Sequence, residues 1–447
     1  MKILLVYPPF CAPTMAPYSL AYLKDFLQKR IEGEVQCLDL NAAFHQLRFP
    51  EYYTKLKGVS QKEAAEVFTA FDKASRPVYA ENHKRIVREE EPEFLAELLE
   101  RILKEKPDCV AFSFVYNSQC FYGSVLLEKL QEKGIPYVIG GPAVSGKIHA
   151  MGPVLGNEFA FLEYLEAHGA QIKKGPVLES VPNFSDFPAE EYLSCQRIIP
   201  LKSSSTCFYK QCTFCTHFAR VPYSEYPLES LKKTVLSSGA HSVYFIDDMI
   251  SKERLLALAE MLGPLKVQWW CQLRPTADLL EIFPQLYSGG LRSVCWGVES
   301  GNQRILDLMK KGTHIDSAKK VLKESHDAGI INMVYIMFAF PSETKDEFFD
   351  TLSFLDENSQ NIDLISTSIF GLQRGAKVYE DPSAYGIAKV QEKSRTILAA
   401  TISYTADTGL QNEEARILVK KHVKQIRRLE KLPHIFNYFK EQTLLWR

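Results

Sequence analysis

A chain of 447 residues is long enough for two or three domains with sizeable cores. Its 46% hydrophobic and 24% charged residues are ordinary globular proportions, and 53 Lys and Arg against 54 Asp and Glu leave a formal charge of −1, so no global field favours nucleic acid. No apolar run approaches the roughly 18–20 residues of a membrane span, and 10 cysteines are far below disulfide-scaffold density. The expected location is therefore a reducing cytoplasm.

The opening MKILLVYPPF has one basic residue and a short apolar run that stops at Pro8 and Pro9, which reads as a buried strand rather than a signal peptide. Residues 2–8 are that strand, followed by a helical pattern over Tyr18–Lys29 and a second strand over Glu34–Leu40. Residues 50–104 are charged and helical in pattern, more than a simple crossover requires. A third strand, Cys109–Val115, precedes a helix at Gly123–Lys133 and a strand at Pro136–Gly141. Alternating strands and helices, with glycines or polar residues at strand carboxyl ends, predict a doubly wound Rossmann-like domain over 1–150 with its ligand crevice at those ends. Residues 151–195 read as a linker, because 171–195 hold Gly, Pro and Asp with little periodicity.

A second α/β module follows. Strands are expected at Arg197–Leu201, Ser242–Ile246, Val267–Leu273, Ser293–Val298, Asn332–Phe340 and Leu364–Phe370. Between them lie helical patterns at Leu228–Ser238, Lys252–Leu262, Ala277–Tyr287, Gln303–Lys310, Ser317–Ala328 and Lys345–Asp356. This predicts a (β/α)6-type partial barrel over 196–390, whose chemistry sits at strand carboxyl ends. Beyond Val390 the pattern turns helical and charged, giving a helical C-terminal tail at 391–447 whose basic run reads as a solvated helix face.

The chemistry concentrates in Lys202–Arg220, KSSSTCFYKQCTFCTHFAR, just after the first strand of the second module. Cys207, Cys212 and Cys215 stand there at Cys-x4-Cys-x2-Cys spacing, and three thiolates this close in one polar loop converge on a metal or a cluster. A cluster on three cysteines leaves one iron open. The same cysteines with His217 could instead hold zinc as a Cys3His set, in a non-enzymatic module; a buried trio of free thiols fits the polar flanks less well. Asp247 and Asp248 follow the second strand, Arg274 the third, and Glu299 and Ser300 the fourth. A carboxylate facing a ribose hydroxyl, or an arginine facing a carboxylate, is ordinary cofactor-clamping chemistry, while capping of the next helix is the alternative use, notably for Asp247.

The cysteine loop resembles the cluster loop of the radical SAM superfamily, usually Cys-x3-Cys-x2-Cys with an aromatic residue before the third cysteine; the first gap is one residue longer here. WGVESGNQRILDLMKKG resembles the segment whose Glu and Ser help hold SAM, and MFAFPSET resembles the I-G-L-P-G-E-T turn, with Ala339 and Ser342 where the family has glycines. FGLQRGAKVYEDPSAYGI resembles the stretch that closes the barrel in the cobalamin-associated branch. MKILLVYPP, LDLN and YVIGGPAVSG resemble parts of the cobalamin-binding domain found upstream of many such modules. The histidine motif Asp-x-His-x-x-Gly is absent from the sequence, and the segment after Gly141 is shorter than usual.

The resemblance implies a [4Fe–4S] cluster on Cys207, Cys212 and Cys215, with SAM on the open iron and one-electron cleavage of the sulfonium to a 5′-deoxyadenosyl radical. It implies Phe214 beside the adenine, Glu299 and Ser300 at the ribose or amino-acid end, and Asp248 and Arg274 as further contacts to SAM or substrate. Cobalamin would lie at Pro8, Asn41, Gly140 and Gly141. The expected reaction modifies an unactivated carbon of a metabolite, lipid or peptide: methyl transfer if cobalamin is bound, or rearrangement, elimination or oxidation if the first domain is a relic. A small-molecule or peptide substrate and an electron donor such as flavodoxin or ferredoxin are the implied partners.

Overall fold

A computed structural model describes residues 1–173, 179–217 and 221–446. The chain divides into two compact units, the first comprising Met1–Pro200, Lys233–Ala240 and Ser394–Ala400 and the second the remainder.

The first unit opens with β1 (Lys2–Tyr7), α1 (Tyr18–Gln28), β2 (Ile31–Glu32) and β3 (Glu34–Asp39). Four helices follow, α2 (Leu40–Arg48), α3 (Pro50–Lys55), α4 (Gln61–Val87) and α5 (Leu95–Lys104). They account for the long charged stretch, and a capping box between Ser60 and Glu63 starts α4. β4 (Cys109–Ser113), α6 (Gln119–Glu132), β5 (Tyr137–Gly140), α7 (Glu158–Ala167) and β6 (Gln171–Ile172) complete the unit. The parallel sheet has the order β3-β1-β4-β5. β1 and β4 are almost wholly buried, as expected for strands covered on both faces.

Residues 151–195, expected to be a linker, carry more structure than that. Val154 bridges in parallel to Ile139, the Asn157 side chain caps α7, and β6 pairs antiparallel with β2. Positions 174–178 of this stretch, and 218–220 of the cysteine-bearing stretch, lie outside the described residues.

The second sheet has six strands in the order β12-β11-β10-β9-β8-β7, with parallel pairings from β8 through β12, and β8 through β12 belong to the second unit. Its strands are β7 (Ile198–Leu201), β8 (Ser242–Phe245), β9 (Gln268–Leu273), β10 (Leu291–Glu299), β11 (Ile331–Phe338) and β12 (Leu364–Ile369). The intervening helices are α8 (Leu228–Ser238), α9 (Lys252–Leu262), α10 (Phe283–Ser288), α11 (Gln303–Leu308), α12 (Ile315–Asp327) and α13 (Lys345–Glu357). After β12 come α14 (Lys377–Glu380), the antiparallel pair β13 (Ile387–Lys393) and β14 (Thr401–Ala406), and α15 (Asn412–Arg428). The C-terminal stretch thus begins as a strand pair and becomes helical from Asn412.

The barrel strands keep two distinct faces. Val243, Cys271, Val334 and Ile336 are at most 1% exposed. On that same outer face the Trp296 indole donates to Asn332 Oδ1 (2.8 Å) and the Asn332 amide donates to the Leu322 carbonyl of α12 (2.8 Å). Tyr244, Gln272, Tyr335 and Met337, on the inner face, keep partial exposure. The inner side is therefore open only in part, since Trp270, Ser293 and Cys295 on the same face are buried.

Candidate functional site

The cysteine loop leaves β7 at Leu201 and is pinned before it reaches its first thiol. Asp247, just past β8, accepts from the backbone N–H groups of Ser203 (2.8 Å) and Ser204 (2.7 Å) and from their hydroxyls (2.9 and 2.7 Å). Burial pushes this carboxyl up, and the same serine hydrogen bonds pull it back down. Asp247 is not the cap of the next helix: that place belongs to Ser251, whose hydroxyl accepts from Arg254 N–H (3.2 Å). Arg254 adds a second brace by donating to the carbonyls of Ser203 (3.1 Å) and Tyr226.

The far part of the loop is fastened to the end of α11 and to α14. The Tyr209 hydroxyl donates to the Lys310 carbonyl (2.9 Å), Thr213 N–H to Met309 O (2.9 Å), and Val378 N–H to Thr213 O (3.1 Å). Cys207, Cys212 and Cys215 are all partly exposed free thiols on this fastened loop. Burial pushes Cys215 up to about 11, with Cys212, Asp248 and Cys207 adding to it, and burial likewise raises Cys212.

The three thiols thus feel one another. Yet among the described residues no three His, Cys, Asp or Glu side chains gather closely enough for one metal ion. His217, the fourth ligand of the zinc reading, instead places Nδ1 2.7 Å from Asp248 Oδ1. Three thiols on one fastened loop are a donor set that a cluster with one open iron can use.

Next to Cys212 stand Lys311, Arg274 and Glu299. The Lys311 ammonium lies 2.7 Å from Glu299 Oε1 and 5.7 Å from the centre of the Phe214 ring. Burial pulls Lys311 down, but Glu299 and Cys212 outweigh it and hold the group above its ordinary value. A Cβ at Gly297 would come within 2.7 Å of this ammonium and 3.0 Å of Glu299 Oε1, so the glycine leaves room for the pair as it stands. Glu299 itself has φ +71° at a register shift between β10 and β11, and such strain in a non-glycine residue is a mark of functional sites. Arg274 stacks over Tyr209 (3.5 Å) and donates from Nη1 to the Lys311 carbonyl (2.8 Å), while its buried Nε has no partner.

Of the residues expected from the sequence, the structure brings Cys212, Phe214, Arg274 and Glu299 together, with Asp248 and His217 beside Cys215. Phe214 also packs against the cluster of Ile305, Met309, Phe340 and Phe370. Ser300 stands apart: it is fully buried, its hydroxyl 3.3 Å from Thr351 Oγ1 and accepting from Asn302 N–H (3.1 Å), so that hydroxyl is committed to α13 and not to the site. Lys311 and Tyr209 were not anticipated. Lys311 sits in the MKKG segment next to an equally basic Lys310, and nothing local distinguishes the two.

The turn after β11 is left-handed at two positions that are not glycine. Ala339 and Ser342 have φ +58° and +71°. Glu343, fully buried, braces this turn by accepting from Ala339 N–H, and its other oxygen has no partner.

In the first unit, a mostly apolar cleft of ≈ 200 Å³ opens at the carboxyl ends of β4 and β5, beside α1 and the start of α7. Gly140 and Gly141 line it, and Gly141, at φ +108°, could not carry a Cβ, which would lie 2.3 Å from Phe114 O. Pro8 and Asn41 do not line it. The Pro8 carbonyl accepts from Gln119 (2.8 Å) and the Asn41 side chain accepts from Cys11 N–H (2.9 Å), so both hold the loop after β1. The cleft is smaller than the roughly 300–1,000 Å³ that encloses a drug-sized ligand; it fits an apolar part of a cofactor.

Residues 201–355 match the family model for the Radical SAM superfamily, and this part of the chain is a radical SAM domain, a class of enzyme. The radical SAM methyltransferase TsrM from Kitasatospora setae, solved with cobalamin and a [4Fe–4S] cluster, has the same fold (TM-score 0.62, 15% identity, 89% of this chain and 82% of that one). So does the cobalamin-dependent radical enzyme OxsB, solved with aqua-cobalamin (TM-score 0.63, 13% identity, 99% and 71%). Among curated proteins, an uncharacterized methyltransferase of Pyrococcus horikoshii is 23% identical over 157 residues, 34% of each chain. A putative methylthiotransferase of Methanocaldococcus jannaschii is 27% identical over 130 residues, 28% of each. The matched stretches span about a third of these curated relatives.

Proposed function

We propose that this chain is a radical SAM methyltransferase holding a [4Fe–4S] cluster on Cys207, Cys212 and Cys215, SAM at the barrel's strand ends and a corrinoid against the cleft of the first unit. The observation that carries this is the set of three partly exposed thiols on one fastened loop, beside the buried Lys311–Glu299 pair and the partnerless Nε of Arg274. When bound, the cluster supplies the electron that cleaves SAM and the corrinoid supplies a transferable methyl group. The chain's own residues orient and exclude water: Glu299 and Arg274 offer a carboxylate and a guanidinium to the ammonium and carboxylate of an amino acid, and Phe214 offers an aromatic face. Asp248, tied to His217, borders Cys215 and sets the far side of the loop.

The likeness to TsrM and OxsB supports the corrinoid, as does the placement of the cleft at strand carboxyl ends, where open α/β sheets take ligands. The substrate is a small molecule or peptide, and the electron comes from a flavodoxin- or ferredoxin-like donor in the cytoplasm. A corrinoid-independent radical reaction is the second reading, favoured by the small cleft and by the absence of an Asp-x-His-x-x-Gly motif from the sequence.

Anaerobic purification with iron, sulfide, zinc and corrinoid analysis tests both. The expected result is brown, oxygen-bleached protein with about four irons per chain, carrying corrinoid, and a Cys212→Ala variant that no longer cleaves SAM. Full cleavage by that variant, or stoichiometric zinc without iron, overturns the proposal.

A further inference from the structure

The inner face of the barrel ends, at the amino-terminal side of its strands, in a floor built by the chain's last residues. The turn Lys440–Leu445 packs there, and Thr443 donates to Ser293 Oγ (3.1 Å), at the start of β10. Ser293 pairs in register with Trp270, and Trp270 with Tyr244, whose ring stacks on the indole at 4.1 Å. From the same turn the Lys440 ammonium reaches the Tyr335 hydroxyl. Tyr335 is an inner-face residue of β11, paired with Gly297 and Ser366, and its phenol also contacts the Cys295 thiol.

This floor holds donors without matching acceptors. No carboxylate lies within ion-pair distance of Lys440 among the described residues; the Tyr335 phenol is its one hydrogen-bond partner there, and Glu299 is already paired with Lys311. The Trp270 indole N–H, on a side chain 2% exposed, has no partner at all. The Glu441 carboxylate acts on this ammonium only from beyond ion-pair distance, and a partly buried ammonium with no close anion, like the unmade N–H bond of Trp270 lower on the same face, costs free energy unless something completes it. Tyr244 stacks on Trp270 and the Lys440 ammonium lies 4.3 Å from the centre of the Tyr335 ring, and both tyrosine side chains are partly exposed. The floor is shaped for a ligand with an anionic end and an apolar body.

We infer that the substrate carries a carboxylate or phosphate group that seats on Lys440 at the barrel floor, with its reacting carbon held toward the strand carboxyl ends. This rests on the barrel's being the reaction chamber of a radical SAM enzyme. From Tyr335 to Phe338, where β11 ends, is three residues of strand, so anion and reacting carbon are separated by about 10 Å. Tyr335 is a positioning residue that aims the ammonium.

The test uses the full-length, cluster-reconstituted protein and calorimetric titration with hexanoate, hexyl phosphate and 1-hexanol. One of the two anions binds wild type at least tenfold tighter than the alcohol, and which one it is names the group. Lys440→Met loses at least tenfold for that anion and nothing for 1-hexanol, while Lys440→Arg stays within threefold of wild type. Equal affinities for anions and alcohol, no anion binding at 10 mM, or an unchanged Lys440→Met overturns the inference. SAM binding is titrated on the same samples: its failure in wild type sinks the enzyme reading, whereas its retention in Lys440→Met alongside lost anion binding isolates the floor. If Lys440→Met does not fold, the comparison of anion with alcohol on wild type and on Lys440→Arg decides alone.

Discussion

Single residues in this chain do work that their neighbours in sequence conceal. Asp247 and Asp248 are adjacent, yet one ties down the start of the cysteine loop and the other faces His217. Glu343 is another such case. Burial pushes its carboxyl up to about 8, with Ala339 N–H pulling the other way. The folded value lies above the ordinary 4.5, so the folded chain binds this proton more tightly than the unfolded chain. Its contribution is full below about pH 4.5 and is lost as pH rises through about 8. Glu343→Gln, which keeps a neutral acceptor for Ala339, should flatten the fall in stability between pH 5 and pH 8 by up to about 1.4 kcal/mol per pH unit. Urea midpoints at pH 5, 6.5 and 8 check this; identical pH slopes for variant and parent would refute it.

Among the elements, those legible in the sequence were the ones written as continuous apolar runs. Each of the six barrel strands falls where its run of Ile, Val, Leu and aromatic residues placed it, within two or three residues. Elements that depend on partners were not legible. α7 needs its Asn157 cap, β6 needs β2, and β13 is mostly exposed, with little apolar alternation to announce it. The Lys311–Glu299 pair is invisible for the same reason, since it joins the end of β10 to a lysine 12 residues on, across α11. The turn after β11 was half legible: the motif was recognisable, and the backbone keeps the left-handed geometry even where alanine and serine replace glycine. An L-residue pays about 1 kcal/mol or more in that region. Ala339→Gly should therefore stabilise the chain by about 0.5–1 kcal/mol, read from chemical denaturation; a less stable variant would show that Ala339 packing outweighs the relief of strain.

For the molecule as a whole, the proposed function assigns the two units two separable binding tasks. Gly156 lines the first unit's cleft, and a Cβ built there meets nothing within 4 Å, so a large side chain can enter without distorting the backbone. Gly156→Trp should lower corrinoid per chain at least tenfold while leaving iron and SAM binding within twofold of wild type, as measured by absorbance and metal analysis. Concurrent loss of iron would mean the two tasks are not separable.

The carboxylate beyond β8 that gathers Ser203 and Ser204 has a further consequence for how the enzyme matures. Four hydrogen bonds to one side chain from a neighbouring strand mean that formation of the sheet itself sets the loop in place. On the proposed function, the polypeptide would reach its finished shape without its inorganic cargo, so chelating the iron should leave a folded, reloadable apoprotein.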